Sequence, residues 1–223
     1  MFQIQLRKNL AVFIFLLFFF TILFALYINN ELDPVNTQIY LNRFSNDYLD
    51  MFMVWFTHLG DVWILPILIL LYLIRDRAYA VRFLLTGLVI SPIVFVLKYI
   101  FVAERPIAVF ERLGKLKELH WVPNHQVDVL YSFPSGHAAI SFAIVAVFAY
   151  MNPSSVRKMF WMLFGACLSL SRVYLNEHFL MDILAGAFLG VFFAFLVHVY
   201  CEQEEAKLKS QRNRLFIFFA RKK

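Results

Sequence analysis

Three short polar stretches interrupt a largely apolar sequence, and their residue types suit phosphate chemistry. Lys98, Arg105 and Arg172 lie within or beside apolar runs, where one charged side chain costs about 2.5–3.5 kcal/mol on insertion scales. Three converging cations therefore require an anionic partner, and guanidinium groups match phosphate oxygens. The stretches read Lys98-x6-Arg105-Pro106, Pro134-Ser135-Gly136-His137 and Ser171-Arg172-x5-His178-x3-Asp182.

Two histidines in these stretches could carry a phosphoryl-transfer reaction. His178 and Asp182 are four residues apart at the start of a predicted helix, so they share one face. A carboxylate bonded to one ring nitrogen would leave the other unprotonated and nucleophilic. His137 could then protonate the leaving group and later activate water. Ser135 and Gly136 open another predicted helix, whose free N–H groups favour an anion.

The elements that must position these residues are predicted to be membrane helices. The 223-residue chain is 61% hydrophobic and 16% charged, too apolar for a soluble domain of this length. Bilayer crossing takes about 20 apolar residues, and polar residues facing the bundle interior can lengthen the two shortest runs. The sequence predicts an all-α, six-transmembrane-helix bundle, an integral membrane protein built on the runs Leu10–Ile28, Val54–Ile74, Phe83–Val102, Ala138–Met151, Phe160–Leu170 and Ile183–Cys201.

The distribution of basic residues predicts the orientation of this bundle. With the N-terminus inside, 14 of the 21 Lys and Arg residues fall on inner segments, so the positive-inside rule places both termini in the cytoplasm. The three polar stretches then meet at the outer, periplasmic face of a cell inner membrane. We expect one membrane domain over residues 1–223, outer loops at about 29–53 and 104–133, and a basic cytoplasmic tail at about 202–223. The net charge of +6 is thereby explained without a nucleic-acid partner.

Together the three stretches resemble the tripartite signature of the type-2 phosphatidic acid phosphatase superfamily, with all eleven specified positions matching in order and spacing. The resemblance implies a lipid phosphatase acting through a phosphohistidine, with His178 as nucleophile, Asp182 as its partner and His137 as general acid. It also implies phosphate contacts from Lys98, Arg105, Ser135, Gly136, Arg172 and Ser171. No cofactor is expected, because the sequence has no Walker loop or dinucleotide fingerprint. No metal is expected either, because the nearby cations would repel a divalent ion and no further ligand is suitably spaced.

Other polar residues receive less specific interpretations. Asp61 with Gly60 is interpreted as a cap of the second helix, and His58 and His198 as helix–helix hydrogen-bond partners. Part of the long loop, Ile107–Leu119, is predicted to be an amphipathic helix at the membrane interface. The loop's other polar residues are interpreted as solvated, with headgroup recognition as the alternative; they are Arg112, Lys115, Lys117, His120 and His125.

Several functions remain open at this level. Among substrates, undecaprenyl diphosphate is favoured and lipid A phosphate is second, followed by phosphatidylglycerol phosphate and phosphatidic acid. A phosphotransferase between two lipids would share the first half-reaction. A transporter or inactive binding protein is the second class, and a vanadate-dependent haloperoxidase, whose group resembles the same signature, is disfavoured by six membrane helices.

Overall fold

The structure is a computed structural model that describes residues 33–123 and 125–220, with side chains described up to residue 211. Within these ranges all regular elements are helical, which confirms the predicted all-α class. The helices are α1 (Pro34–Asn42), α2 (Asp47–Thr57), α3 (Ile64–Arg75), α4 (Arg77–Phe101), α5 (Pro106–Arg112), α6 (Gly136–Met151), α7 (Ser155–Tyr174) and α8 (Leu180–Ala220), with 3₁₀ turns at His58–Gly60 and Leu116–Glu118.

Two described stretches are long and apolar enough to cross a membrane. They are Arg77–Arg112, which contains α4, and Leu180–Gln211 within α8; α2 and α3 would together make a third. The predicted first helix, Leu10–Ile28, lies outside the described residues. The chain is thus a membrane protein with two or three identifiable spans in its described part, and the count of six remains a prediction.

The predicted outer segment at 29–53 and the predicted second helix both need correction. Asp33-Pro34 looks like a turn signal, but it begins α1: Asp33 accepts hydrogen bonds from the N–H groups of Val35 and Asn36, and proline suits a first helical position. From residue 33 onward, most of this segment is therefore helical. The run Val54–Ile74 is broken at residues 61–63, between the 3₁₀ turn His58–Gly60 and α3, and the helices on the two sides meet at 56°.

The long loop also differs from its predicted form. The expected helix Ile107–Leu119 is divided into α5 and a 3₁₀ turn, with Gly114 between them at φ 68°. Phe110 and Leu119 pack with Phe179 in a small buried cluster against which α1 also rests. The apolar side of this segment therefore faces protein, where the sequence predicted lipid.

Helix α6 forms the centre of the bundle, since most of its side chains are buried. It packs against α4, α7 and α8. Gly186 and Gly190 of α8 face it so closely that an added Cβ would lie 2.3 Å from Ser135 O and 2.4 Å from Ala139 O. Small residues four apart permit such backbone contact in membrane helices. The start of α8 is thereby held against the start of α6.

At the opposite end of the bundle, α8 continues as one helix through most of the predicted basic tail. Arg82 of α4 is buried and pairs with Glu202 and Glu205 at 2.9 and 2.7 Å. A buried charge requires such partners. The two ion pairs therefore tie the early tail to the bundle.

Candidate active site

The three polar stretches lie together at one end of the bundle, joined by backbone hydrogen bonds. The Ser135 N–H donates to Asp182 O at 3.0 Å, and the His178 N–H donates to Arg172 O at 3.3 Å. The Ser132 N–H donates to Ala103 O at 3.0 Å, which brings the end of the long loop beside the end of α4. The sequence predicted that these segments converge, and the structure places them so.

Arg105 and Arg172 converge on one carboxylate. Arg105 Nη1 lies 2.5 Å and Arg172 Nη2 2.6 Å from Glu177 Oε2. Burial raises the pKa of Glu177, but the hydrogen bond from His125 and the charges of Arg172 and Arg105 outweigh burial and lower that pKa to about 2. Glu177 is therefore an anion at any physiological pH. The arrangement shows that both guanidinium groups can address a single anionic oxygen.

Other predicted phosphate ligands surround this pair. Lys98 Nζ donates a hydrogen bond to Tyr131 O, and the Arg105 side chain also donates to Leu130 O at 3.0 Å. Ser135 is the N-cap of α6 and accepts from the Ala138 N–H at 3.3 Å, with Gly136 as the first helical residue. The start of α6 thus presents its positive dipole end towards the cations, an arrangement suited to a strong anion.

The His178 ring is buried, with 2% of the residue exposed. Its Nδ1 lies 3.6 Å from Asp182 Oδ2, beyond the usual hydrogen-bond range. Ser132 Oγ approaches both groups, at 2.5 Å from Asp182 Oδ2 and 3.3 Å from His178 Nδ1. Burial lowers the pKa of His178 to about 4, although Asp182 opposes the shift. The free ring is therefore neutral near pH 7, as a nucleophile must be.

The second histidine is held by residues from the bend between α2 and α3. His137 Nδ1 lies 3.4 Å from Asp61 Oδ1, and His137 Nε2 lies 3.4 Å from Thr57 Oγ1. The Thr57 hydroxyl also accepts from Ser171 Oγ at 3.0 Å and from Arg172 Nη1 at 3.3 Å. Residues at the bend therefore contact both the segment that carries His137 and the segment that carries Ser171 and Arg172.

This arrangement corrects the simpler interpretation of Asp61 and His58. The Asp61 side chain does not cap α3, whose N-cap is Trp63 and has no side-chain hydrogen bond. Its carboxylate instead pairs with His58 at 2.8 Å and with His137. His58 is mostly exposed and pairs within its own turn rather than across helices. The sequence signal that could have indicated this pairing was the presence of a carboxylate near the start of an apolar run.

Two residues of the long loop were likewise misread as solvated. His125 Nε2 lies 2.9 Å from Glu177 Oε1, and His120 Nε2 lies 2.8 Å from Asp50 Oδ2. Glu177 is a further site residue that the sequence did not single out, and it contacts both Arg105 and Arg172. Glu104 pairs with Arg112 instead, at 2.7 Å.

A groove of about 480 Å³ leads away from this site along the bundle. Its polar end is formed by Asp61, Lys98 and His137, and its walls continue as apolar side chains of α4 and α6, including Val94 and Ile140. The groove thus has charged side chains at one end and mainly apolar walls. Among the described residues, no group of three His, Cys, Asp or Glu side chains could hold a metal ion.

Comparison with known proteins agrees with this architecture. The crystal structure of Aquifex aeolicus LpxE has a TM-score of 0.64 at 23% identity, covering 73% of this chain and 92% of that one. The first transmembrane PAP2-type phosphatidylglycerolphosphate phosphatase from Bacillus subtilis has a TM-score of 0.52 at 22% identity, covering 88% and 96%. Both likenesses concern the fold.

Sequence relatives carry phosphatase names. Phosphatidylglycerophosphatase B of Bacillus subtilis is 35% identical over 82 residues, a match that spans 33% of this chain and only 40% of that protein. Undecaprenyl-diphosphatase of Sulfolobus acidocaldarius is 26% identical over 178 residues, which span 78% of this chain and 74% of that protein. Residues 78–205 match the family model described as PAP2 superfamily, and since this range is more than half of the chain and contains all three polar stretches, the chain belongs to the PAP2 superfamily.

Proposed function

We propose that this chain is an integral membrane lipid phosphatase that cleaves a lipid phosphate or diphosphate through a phosphohistidine on His178, without a metal ion. The observation that carries the proposal is the convergence of Arg105 and Arg172 on one carboxylate oxygen, in the residue directly before His178. Guanidinium groups arranged around one anionic oxygen also suit phosphate. In the proposed complex, phosphate oxygens replace the Glu177 carboxylate as the partner of the two guanidinium groups.

In the first step, Nε2 of His178 attacks phosphorus while the bond to the leaving oxygen breaks. The Nδ1 side of the ring faces Ser132 and Asp182, so Nε2 is the nitrogen left to react. His137 donates its proton to the leaving oxygen. Lys98, Arg105, Arg172, the Ser171 hydroxyl and the start of α6 at Ser135 and Gly136 stabilise the charge on the phosphoryl oxygens.

In the second step, water attacks the phosphohistidine and His137, now neutral, accepts a proton from it. The P–N bond breaks, inorganic phosphate leaves and His178 regains its electron pair. A monoester yields a lipid alcohol, and a diphosphate yields a lipid monophosphate. This sequence needs no Lewis acid, because three cations already offset the charge that a metal ion would neutralise.

A lipid substrate is supported by the groove that leaves the charged pocket. Its apolar walls fit acyl or prenyl chains, while its polar end holds His137 and Lys98. Apolar walls recognise chain length and saturation only weakly, so the groove supports a lipid class rather than one lipid. Undecaprenyl diphosphate remains the favoured substrate, in line with the longer of the two sequence matches.

Phosphatidylglycerol phosphate is the main alternative, because the more identical local match is to a phosphatidylglycerophosphatase. Lipid A phosphate, phosphatidic acid and transfer of phosphate to a second lipid complete the set to be tested. The proposed site faces the outer side of the membrane, the periplasm in a cell with an inner membrane, with both termini cytoplasmic. The positive-inside distribution supports this orientation.

The decisive test is phosphate release by purified protein in detergent from the four lipid classes. We expect release from at least one of them, phosphohistidine on His178 after an alkaline quench, which preserves the P–N bond, and full activity in EDTA. The His178→Ala variant should release no phosphate above background. Wild-type release by His178→Ala would refute the nucleophile and favour a transporter or binding protein. Loss of activity in EDTA with recovery in Zn²⁺ or Mg²⁺ would refute the metal-free reaction, and phosphorylated acceptor lipid would indicate a phosphotransferase.

Orientation is tested by thiol labelling in a Cys167→Ala, Cys201→Ala background. Lys117→Cys, in the exposed part of the long loop, should react with a membrane-impermeant maleimide in intact cells. Lys209→Cys, in the exposed tail of α8, should react only after permeabilisation. The reverse pattern would place the site on the cytoplasmic side.

A further inference from the structure

The carboxylate and the nucleophilic ring of the proposed site do not bond directly. The 3.6 Å between His178 Nδ1 and Asp182 Oδ2 is too long for a hydrogen bond. The sequence predicted that both residues lie on one helix, but His178 precedes α8 and only Asp182 lies in its first turn, so helical spacing does not bring the two groups into contact. Orientation of the ring by Asp182 alone is therefore incomplete.

Ser132 fills this gap. Its Oγ donates to Asp182 Oδ2 at 2.5 Å and lies 3.3 Å from His178 Nδ1. A serine hydroxyl has one proton and two lone pairs. Because Ser132 donates its proton to the Asp182 carboxylate, it can act towards His178 only as an acceptor, from Nδ1–H. The resulting order, Nδ1–H to Oγ–H to Oδ2, fixes the proton on Nδ1.

We infer that Ser132 is a positioning residue that connects Asp182 to His178 and keeps Nε2 of the nucleophile unprotonated and directed at the phosphoryl group. The inference rests on the proposed function and adds a fourth group to the predicted catalytic trio. Ser132 touches neither the substrate nor the leaving group. It acts through the tautomer and orientation of the ring.

The surroundings of Ser132 fit a fixed connecting group. The residue is fully buried, and its N–H donates to Ala103 O at 3.0 Å, which holds the loop against the end of α4. The Asp182 carboxylate is also held by the backbone, because the same oxygen, Oδ2, accepts from the Phe179 N–H at 2.9 Å. With both neighbours held, the hydroxyl has little freedom to turn away from the ring.

A purely structural role for Ser132 makes different predictions. Removal of a buried hydroxyl that only satisfied Asp182 would lower stability and leave the reaction of folded protein unchanged. Removal of a connecting hydroxyl lowers the rate of attack by His178 while phosphate binding by the cations persists. The rate of phosphohistidine formation therefore distinguishes the two roles, whereas a measurement of folding does not.

The test compares Ser132→Ala, Ser132→Cys, Asp182→Asn and the double variant Ser132→Ala/Asp182→Asn in the same detergent preparation. In rapid-quench measurements with the substrate that the wild-type protein hydrolyses, Ser132→Ala should form phosphohistidine about 10- to 100-fold more slowly. The KM and the inhibition constant of inorganic vanadate should change by less than about twofold, as expected when only the chemical step is affected. Ser132→Cys, which keeps a weak donor of similar size, should recover part of the rate.

Because the two residues act in one chain of hydrogen bonds, the double variant should be no slower than Asp182→Asn alone. Ser169→Ala is the matched control, since Ser169 is a buried serine of α7 whose hydroxyl has no hydrogen-bond partner among the described residues, and it should behave as wild type. A wild-type rate in Ser132→Ala, or multiplicative losses in the double variant, would overturn the inference. If Ser132→Ala fails to fold, a wild-type rate in Ser132→Cys combined with multiplicative losses on adding Asp182→Asn would do the same. Failure of the proposed function is distinguishable, because it would appear as phosphate release by His178→Ala.

Discussion

The substitution Gly60→Ala tests whether the bend between α2 and α3 sets the position of His137. A Cβ built on Gly60 lies 2.3 Å from His137 Nε2 and 2.3 Å from Ser141 Oγ, whereas ordinary contacts begin at 3.4 Å. The imidazole ring must therefore recede by about 1 Å, since it lies at the end of its side chain and can move more easily than backbone. Such a movement carries the proposed general acid away from the leaving oxygen.

The expected magnitude follows from this displacement. A misplacement of about 1 Å at a reacting group can cost about 100-fold in rate, or about 2.7 kcal/mol of transition-state stabilisation. Overpacking costs a folded protein about 1–3 kcal/mol, and here the displaced atoms are side-chain ends. We therefore expect a folded variant with kcat lowered about 100-fold on a lipid monophosphate. Vanadate should bind normally, because the cations are untouched.

Gly165→Ala provides the matched control. Its added Cβ would lie 2.7 Å from Val145 Cγ2 in the bundle core, so it overpacks the protein without touching the site. The assay is steady-state phosphate release by both variants, with thermal unfolding measured in parallel. Wild-type kcat in folded Gly60→Ala, or an equal loss of kcat in Gly165→Ala, would refute the reasoning.

Three further predictions concern the remaining groups of the site. His137→Ala should slow hydrolysis of a monoester more than that of a diphosphate, because an alkoxide needs a proton and a phosphate leaving group needs it less; release rates on paired substrates measure this. Glu177→Gln should tighten inhibition by inorganic phosphate about tenfold, because Arg105 and Arg172 lose a competing anion. The acid limb of kcat/KM should fall near pH 4 rather than 6.5, because His178 attacks only as the neutral ring and its pKa is lowered to about 4.

Each of these has a contrary outcome that would count against the site as described. Equal losses on both substrates would remove His137 from leaving-group protonation. Weaker phosphate inhibition in Glu177→Gln would mean that this carboxylate chiefly orients the arginines. An acid limb near pH 6.5 would mean that the His178 ring is far more hydrated than its burial indicates.

The sequence by itself pointed to the family and the helical class of this protein, and it predicted most residues of the candidate site. Charged side chains are so costly in apolar surroundings that Lys98, Arg105 and Arg172 stood out from composition alone. The spacing of the signature pointed to His178 and Asp182 as well, although the predicted shared helix face is wrong because His178 lies just before α8. The approximate positions of α4, α6 and α8 followed from runs of apolar residues, whose period and length reflect local geometry.

Only the tertiary structure decided which groups complete the site. Ser132, Thr57 and Asp61 are ordinary polar residues in sequence, and their contacts join segments between 46 and 115 residues apart in the chain. The bend between α2 and α3 could not be predicted, because hydropathy averages over the short break at residues 61–63. The pairing of Glu177 with two arginines could not be predicted from the sequence. Spacing along a chain indicates which residues share a helix face, whereas contacts between helices depend on how the helices pack.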